Sequence, residues 1–176
     1  MGVGRYRPSR VDTQSAAKWL FDVNAEGGKA SFALLPYREY ICIDTYTIQD
    51  METRKHMAAE KKRCNTHNCA QAVVCSYCDL VGLPEQTALD IAGAYGTGMG
   101  NMEGTCGALV GAGMIVGLAT RDRHKSRARM KEIMEKFQQR NGATQCRLLK
   151  GVGTGKPLRE CPDCVADAAE FLEEYL

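Results

Sequence analysis

The feature that most constrains the fold is an apolar run over residues 107–119 that contains four glycines. The run is too short to cross a bilayer, which requires about 20 apolar residues, and it therefore predicts a helix buried in a protein core. Each glycine costs about 1 kcal/mol of helix propensity relative to alanine. A helix that keeps Gly107, Gly111, Gly113 and Gly117 is expected to gain close backbone approach to neighbouring helices or to a bulky group.

The rest of the chain is suited to forming such a core. Its 176 residues are enough for one domain that buries roughly 70% of its unfolded surface. Hydrophobic residues make up 44% and charged residues 25%, which are ordinary globular values. The net charge of +2 offers no reason to expect binding to nucleic acid or to an anionic membrane.

Helical patterns dominate from Met51 onward. They predict an all-α, compact multi-helix bundle over residues 51–176, in which Met130, Ile133, Met134 and Phe137 form the apolar stripe of one long helix. The predicted helices cover about 51–63, 68–81, 84–94, 106–119 and 123–140, a short stretch after Thr144, and residues 162–176.

Residues 1–50 differ in character and are predicted to be a short N-terminal extension. The stretches 30–35 and 39–48 are rich in β-forming and aromatic residues and are separated by Pro36. This pattern indicates either a small β-hairpin or an irregular arm that contacts a partner.

Cysteine is the unusual component of the composition. The chain contains nine cysteines, and an odd number of cysteines cannot be fully paired within one chain. No apolar segment typical of a secretory signal follows the charged amino terminus. We therefore expect a reducing, cytoplasmic location, where thiols usually serve metals or redox chemistry. The nine cysteines are Cys42, Cys64, Cys69, Cys75, Cys78, Cys106, Cys146, Cys161 and Cys164.

Four of these cysteines are predicted to lie at the starts of four different helices. Asn68 and Thr105 are good capping residues directly before Cys69 and Cys106. Thr144 places Cys146 in a first helical turn, and Cys161 precedes a proline, so that Cys161 itself is the predicted cap.

A helix start favours an anion because its backbone N–H groups are unpaired and carry partial positive charge. A thiolate there can have a pKa of roughly 3.5–7.5 instead of about 8.5, which makes it a better ligand for a soft metal and a more reactive redox group. If the four helix starts converge, they form a site for an anionic metal–sulfur centre. The alternative is that each thiol is a small buried hydrophobe.

Several stretches are similar to the C_GCAxxG_C_C family of redox-active proteins. They are residues 68–73, 96–100, 106–111, 146–151 and 161–168, in the order of the family's motifs. The resemblance covers about residues 60–176 and maps the family's four characteristic cysteines onto Cys69, Cys106, Cys146 and Cys161. It implies a metal or redox role without a defined reaction.

The related split-Soret cytochromes join such a domain to haem and iron–sulfur binding. Covalent c-type haem requires Cys-x-x-Cys-His. Here the two Cys-x-x-Cys pairs are followed by Asp79 and Val165, which argues against such a haem.

Four of the five remaining thiols are candidate additional members of the site: Cys64, Cys75, Cys78 and Cys164. Cys161 and Cys164 have the spacing of half a zinc site or of a dithiol relay. Cys75 and Cys78 fall inside a predicted helix, which favours core or interface residues.

The leading interpretation is an iron–sulfur centre bound by Cys69, Cys106, Cys146 and Cys161, for electron transfer or redox sensing, with Gly107 and Gly111 lying against the cofactor. One alternative is a thiol–disulfide or zinc-thiolate protein that uses the same cysteines. Another is a structural helical module with buried thiols and no cofactor. We also expect a redox partner and a homodimer, whereas no catalytic residue can be named.

Overall fold

The computed structural model describes residues 53–176, in which helices connected by turns and loops form the regular secondary structure. Their only β-type pairing is an isolated antiparallel bridge between Thr105 and Gln145, which confirms the predicted all-α class for this part of the chain. Both the predicted hairpin and the boundary at residues 50/51 lie outside the described residues. Seven α-helices follow one another: α1 (Lys55–Arg63), α2 (Cys69–Tyr77), α3 (Glu85–Ala92), α4 (Gly107–Thr120), α5 (Arg123–Asn141), α6 (Cys146–Leu149) and α7 (Cys161–Glu173).

Helix α4 is the centre of the fold, as its apolar sequence predicts. It packs against α2, α5 and α7, and α7 also packs against α1. Leu109, Ala112 and Ile115 of α4 are fully buried. Within residues 53–176, no helix combines the length and apolar character needed to span a bilayer.

Two glycines allow α2 and α4 to come close together near their starts. A β-carbon at Gly107 would lie 2.6 Å from the Tyr95 carbonyl oxygen, and one at Gly111 would lie 2.7 Å from the Ala70 carbonyl oxygen. These distances are too short for any side chain. The two glycines therefore provide helix–helix contact, whereas their predicted contact with a cofactor stays a prediction.

The amphipathic helix α5 matches its sequence prediction closely. Ile133 and Phe137 are fully buried, and Met130 and Met134 are partly buried against the core. Asp122 caps the helix by accepting hydrogen bonds from the amides of His124 and Lys125.

Two helix starts differ by one residue from their predicted positions. Cys106, and not Thr105, is the N-cap of α4, because Thr105 is held in the bridge to Gln145. Helix α7 begins at Cys161 with Glu160 as its N-cap, so the prediction that Cys161 is the cap was wrong. Proline is acceptable in the first turn because amides there need no intrahelical partner, and its presence does not fix the exact start.

The close contact between α2 and α4 can be tested with two alanine substitutions in the same helix. Gly111→Ala should lower the free energy of unfolding by about 2 kcal/mol, because the new methyl group overlaps the α2 backbone. Gly117→Ala is the matched control, since a β-carbon there meets nothing within 4 Å. Gly117→Ala should instead raise the free energy of unfolding by about 0.5–1 kcal/mol, because alanine has the higher helix propensity. Urea unfolding followed by circular dichroism measures both, and equal effects would contradict the packing role of Gly111.

Candidate functional site: a cluster of cysteine thiols

The four cysteines predicted at helix starts are found there. Cys69, Cys146 and Cys161 are the first residues of their helices, and Cys106 is an N-cap. The start of α2 is fixed by a capping box, in which the Asn68 side chain accepts from the Ala70 and Gln71 amides and Gln71 bonds back to the Asn68 amide.

Cys106 and Cys146 are brought side by side by the short antiparallel bridge. The Cys106 amide donates to the Thr144 carbonyl oxygen at 2.8 Å, and the Cys146 amide donates to the Gly104 carbonyl oxygen at 3.0 Å. These two backbone hydrogen bonds place the starts of α4 and α6 against each other.

Cys69 reaches the same place through the contact between α2 and α4. A β-carbon on Gly107, the residue after Cys106, would lie 3.2 Å from the Cys69 β-carbon. The starts of α2, α4 and α6 therefore meet in one region of the fold.

Helix α7 completes the cluster with two thiols. Cys161 hydrogen-bonds to Cys69, and Cys164 hydrogen-bonds to Cys106. We refer to these four cysteines together with Cys146 as the thiol cluster. The structure brings together all four cysteines predicted as metal ligands.

Cys164 is the member that sequence reasoning left outside the main set. The sequence predicts Cys164 only as an additional thiol and as a partner for Cys161. The spacing of three residues does place both thiols on one face of α7. That signal is present in the sequence, but it does not reveal that each thiol pairs with a cysteine of another helix.

Burial differs within the cluster. Cys69, Cys106, Cys146 and Cys164 are all buried, whereas Cys161 is only half-buried. Cys161 is therefore the thiol through which the cluster meets solvent in the part of the chain that the structure describes.

The hydrogen bond from Cys69 lowers the pKa of Cys161 to about 6, and the nearby cations Lys150 and Lys62 act in the same direction against the effect of burial. The same hydrogen bond raises the pKa of Cys69, and burial raises it further. This pair therefore favours one thiolate, on Cys161, next to one thiol.

The second pair is polarised in the same way. The hydrogen bond from Cys164 lowers the pKa of Cys106, and the backbone amides of Ala108 and Leu109 at the start of α4 contribute. The hydrogen bond and burial raise the pKa of Cys164. Burial raises the pKa of Cys146, and within residues 53–176 no cysteine hydrogen bond offsets this effect.

The loop between α3 and α4 packs directly on the cluster. Gly98 has a φ of +55°, and a β-carbon there would lie 2.5 Å from the Cys146 β-carbon. Glycine is therefore required both by the left-handed backbone and by the lack of space.

The segment before α7 is anchored by a buried carboxylate. Asp167 accepts hydrogen bonds from Arg159 at 2.9 and 3.1 Å and from Arg140 at 3.1 Å. The Cys164 sulfur lies 3.8 Å from the Arg159 carbonyl oxygen. This network links α5, the loop and α7, and it holds Cys164 in the cluster.

The other thiols of the described residues lie in different surroundings. Cys75 and Cys78 are buried in the hydrophobic core, and Cys64 is exposed at the end of α1. Within residues 53–176, no three or more His, Cys, Asp or Glu side chains are arranged to hold a single metal ion.

Comparison with known protein families gives a match over most of the described residues. The family described as "Putative redox-active protein (C_GCAxxG_C_C)" matches residues 67–175. This range contains the whole thiol cluster. No curated protein matches the chain. No solved structure matches it either.

The polarised pair of Cys69 and Cys161 predicts an unusual pH dependence of alkylation. Because the thiolate is the nucleophile, the rate at which iodoacetamide modifies Cys161 in the metal-free protein should rise through pH about 6. Peptide mass spectrometry over pH 5–9 measures this rate. Cys69→Ala removes the hydrogen bond and should move the rise to higher pH, whereas an unchanged profile in this variant would contradict the pairing.

Proposed function

This chain belongs to the C_GCAxxG_C_C family of redox-active proteins, and we propose that its thiol cluster binds an iron–sulfur centre for electron transfer or redox sensing. The observation that carries the proposal is the convergence of Cys69, Cys106, Cys146 and Cys161 from the starts of four separate helices.

The donor set fits such a group. Thiolate sulfur is the usual ligand of iron in these centres, and the cluster supplies five sulfurs from residues that lie close together. An iron–sulfur cluster contains several irons, so its cysteine ligands do not have to surround one point. A donor set without a preformed single-ion arrangement is therefore compatible with it.

The surroundings of the sulfurs favour bound anions. The Ala108 and Leu109 amides stabilise a thiolate on Cys106, while Lys62 and Lys150 stabilise one on Cys161. Hydrogen bonds to sulfur and nearby charge are the means by which proteins adjust the potential of such centres.

The protein's own residues would divide the work in this arrangement. Cys69, Cys106, Cys146 and Cys161 would hold the centre, which accepts and releases single electrons when bound. The buried thiols would keep it away from water, and half-buried Cys161 would lie on the side that a redox partner can approach.

The proposal is tested by purifying the full chain without oxygen and assaying iron, acid-labile sulfide and zinc on the same sample. We expect a brown protein with stoichiometric iron and sulfide. Cys106→Ser lacks one of the four proposed ligands. Its iron content should therefore fall roughly tenfold or more. Cys78→Ser is the matched control, since Cys78 is equally buried, outside the cluster, and should keep its iron.

Other results would overturn the iron–sulfur assignment. Stoichiometric zinc in a colourless protein would favour a zinc-thiolate site. A protein without metal, even after reconstitution with iron and sulfide, would leave thiol–disulfide chemistry or a structural module. An unchanged thiol redox titration in Cys106→Ser would favour the structural module.

A further inference from the structure

Helix α7 contributes two thiols that do not pair with each other. Cys161 and Cys164 are three residues apart on one face of the helix, yet Cys161 contacts Cys69 on α2 and Cys164 contacts Cys106 at the start of α4. The structure therefore contains two cysteine pairs, each of which joins α7 to another helix. A dithiol relay between Cys161 and Cys164, one expectation from their spacing, stays a prediction.

The two pairs differ in how they meet solvent. The pair of Cys69 and Cys161 has one half-buried thiol, whereas Cys106 and Cys164 are 4% and 2% exposed. Among the described residues, Cys161 is the more accessible thiol of the two pairs, so we expect a small molecule to react at the outer pair first. The two pairs lie next to each other, because α7 carries one thiol of each pair and Gly107, the residue after Cys106, would place a β-carbon 3.2 Å from the β-carbon of Cys69.

We propose that the metal-free protein exchanges electrons with small disulfides through two dithiol couples, an outer couple of Cys69 and Cys161 and an inner couple of Cys106 and Cys164. This activity goes beyond the iron–sulfur proposal and does not depend on it. It requires only thiol and disulfide groups, and its substrate class is a disulfide.

The first exchange takes place at the outer couple. The Cys161 thiolate attacks one sulfur of the substrate, the substrate S–S bond breaks, and one substrate thiolate leaves and takes a proton from water. Cys69 then loses its proton to water and attacks the Cys161 sulfur, which releases the second substrate thiolate. The substrate gains two electrons and two protons, and the outer couple becomes a disulfide.

The inner couple then restores the outer one without any further reactant. The Cys106 thiolate attacks the Cys161 sulfur and releases Cys69. Cys164 next attacks the Cys106 sulfur and releases Cys161. Two electrons and one proton have moved from the inner to the outer couple, which is again one thiolate and one thiol, so one chain can reduce a second substrate disulfide.

The test uses the full chain with two substitutions. Cys64→Ser removes an exposed thiol, and Cys42→Ser removes a thiol that lies outside the described residues, so neither of them reacts with the substrate. The reduced, metal-free protein is mixed with bis(2-hydroxyethyl) disulfide. We expect four molecules of 2-mercaptoethanol per chain. Peptide mapping without reduction should identify the disulfides Cys69–Cys161 and Cys106–Cys164.

Two variants separate the roles of the couples. Cys164→Ala should halve the yield of 2-mercaptoethanol and leave the Cys69–Cys161 disulfide, because only the outer couple remains. Cys161→Ala should slow the reaction of Cys106 and Cys164 roughly tenfold or more, since the accessible thiol is gone. Cys78→Ala is the control and should keep the full yield, and circular dichroism checks the fold of each variant.

A Cys161–Cys164 disulfide, the absence of any intramolecular disulfide, or an undiminished rate in Cys161→Ala would each overturn the proposal. None of these results depends on iron. Failure of the exchange is thereby distinguished from failure of the iron–sulfur assignment, which is measured on the protein purified without oxygen.

Discussion

The close contact between α2 and α4 is the constraint on which the rest of the structure depends. Gly107 and Gly111 leave no room for a side chain against the Ala70 backbone of α2, since a β-carbon at Gly107 would lie 3.3 Å from the Ala70 amide nitrogen and one at Gly111 would lie 2.7 Å from the Ala70 carbonyl oxygen, so the two backbones meet directly near their starts. Burial of apolar residues along α4 stabilises this contact. The contact also has a chemical consequence, because it sets the start of α2, with Cys69, beside the start of α4.

The remaining sulfurs are added by elements that surround this pair of helices. The bridge between Thr105 and Gln145 positions Cys146, and the packing of α7 positions Cys161 and Cys164. Buried Asp167 stabilises the packing of α7, because its carboxylate accepts hydrogen bonds from two arginines. These hydrogen bonds compensate the cost of removing the carboxylate charge from water. Local backbone pairing, helix packing and a buried ion pair thus each contribute to one site.

The proposed iron–sulfur centre and the proposed dithiol couples would use the same geometry in two ways. Both need sulfurs that lie close together, are largely buried and have thiolates stabilised by neighbouring donors and cations. They differ in what occupies the space between the sulfurs, since metal binding takes the same thiols that disulfide formation would consume. The state of the protein would therefore depend on metal supply and on the redox conditions around it.

The sequence by itself determined the helices and their order, and it predicted four of the five cysteines that the structure brings together. Asn68 before Cys69 and the apolar stripe of α5 are local signals, because capping and helical periodicity involve residues only a few positions apart. Only the tertiary structure decided that these helix starts converge, that Gly107 and Gly111 pack against α2, and that Cys164 belongs with Cys106. Those facts depend on contacts between residues distant in the chain, and no spacing along one helix specifies which thiol of another helix lies opposite.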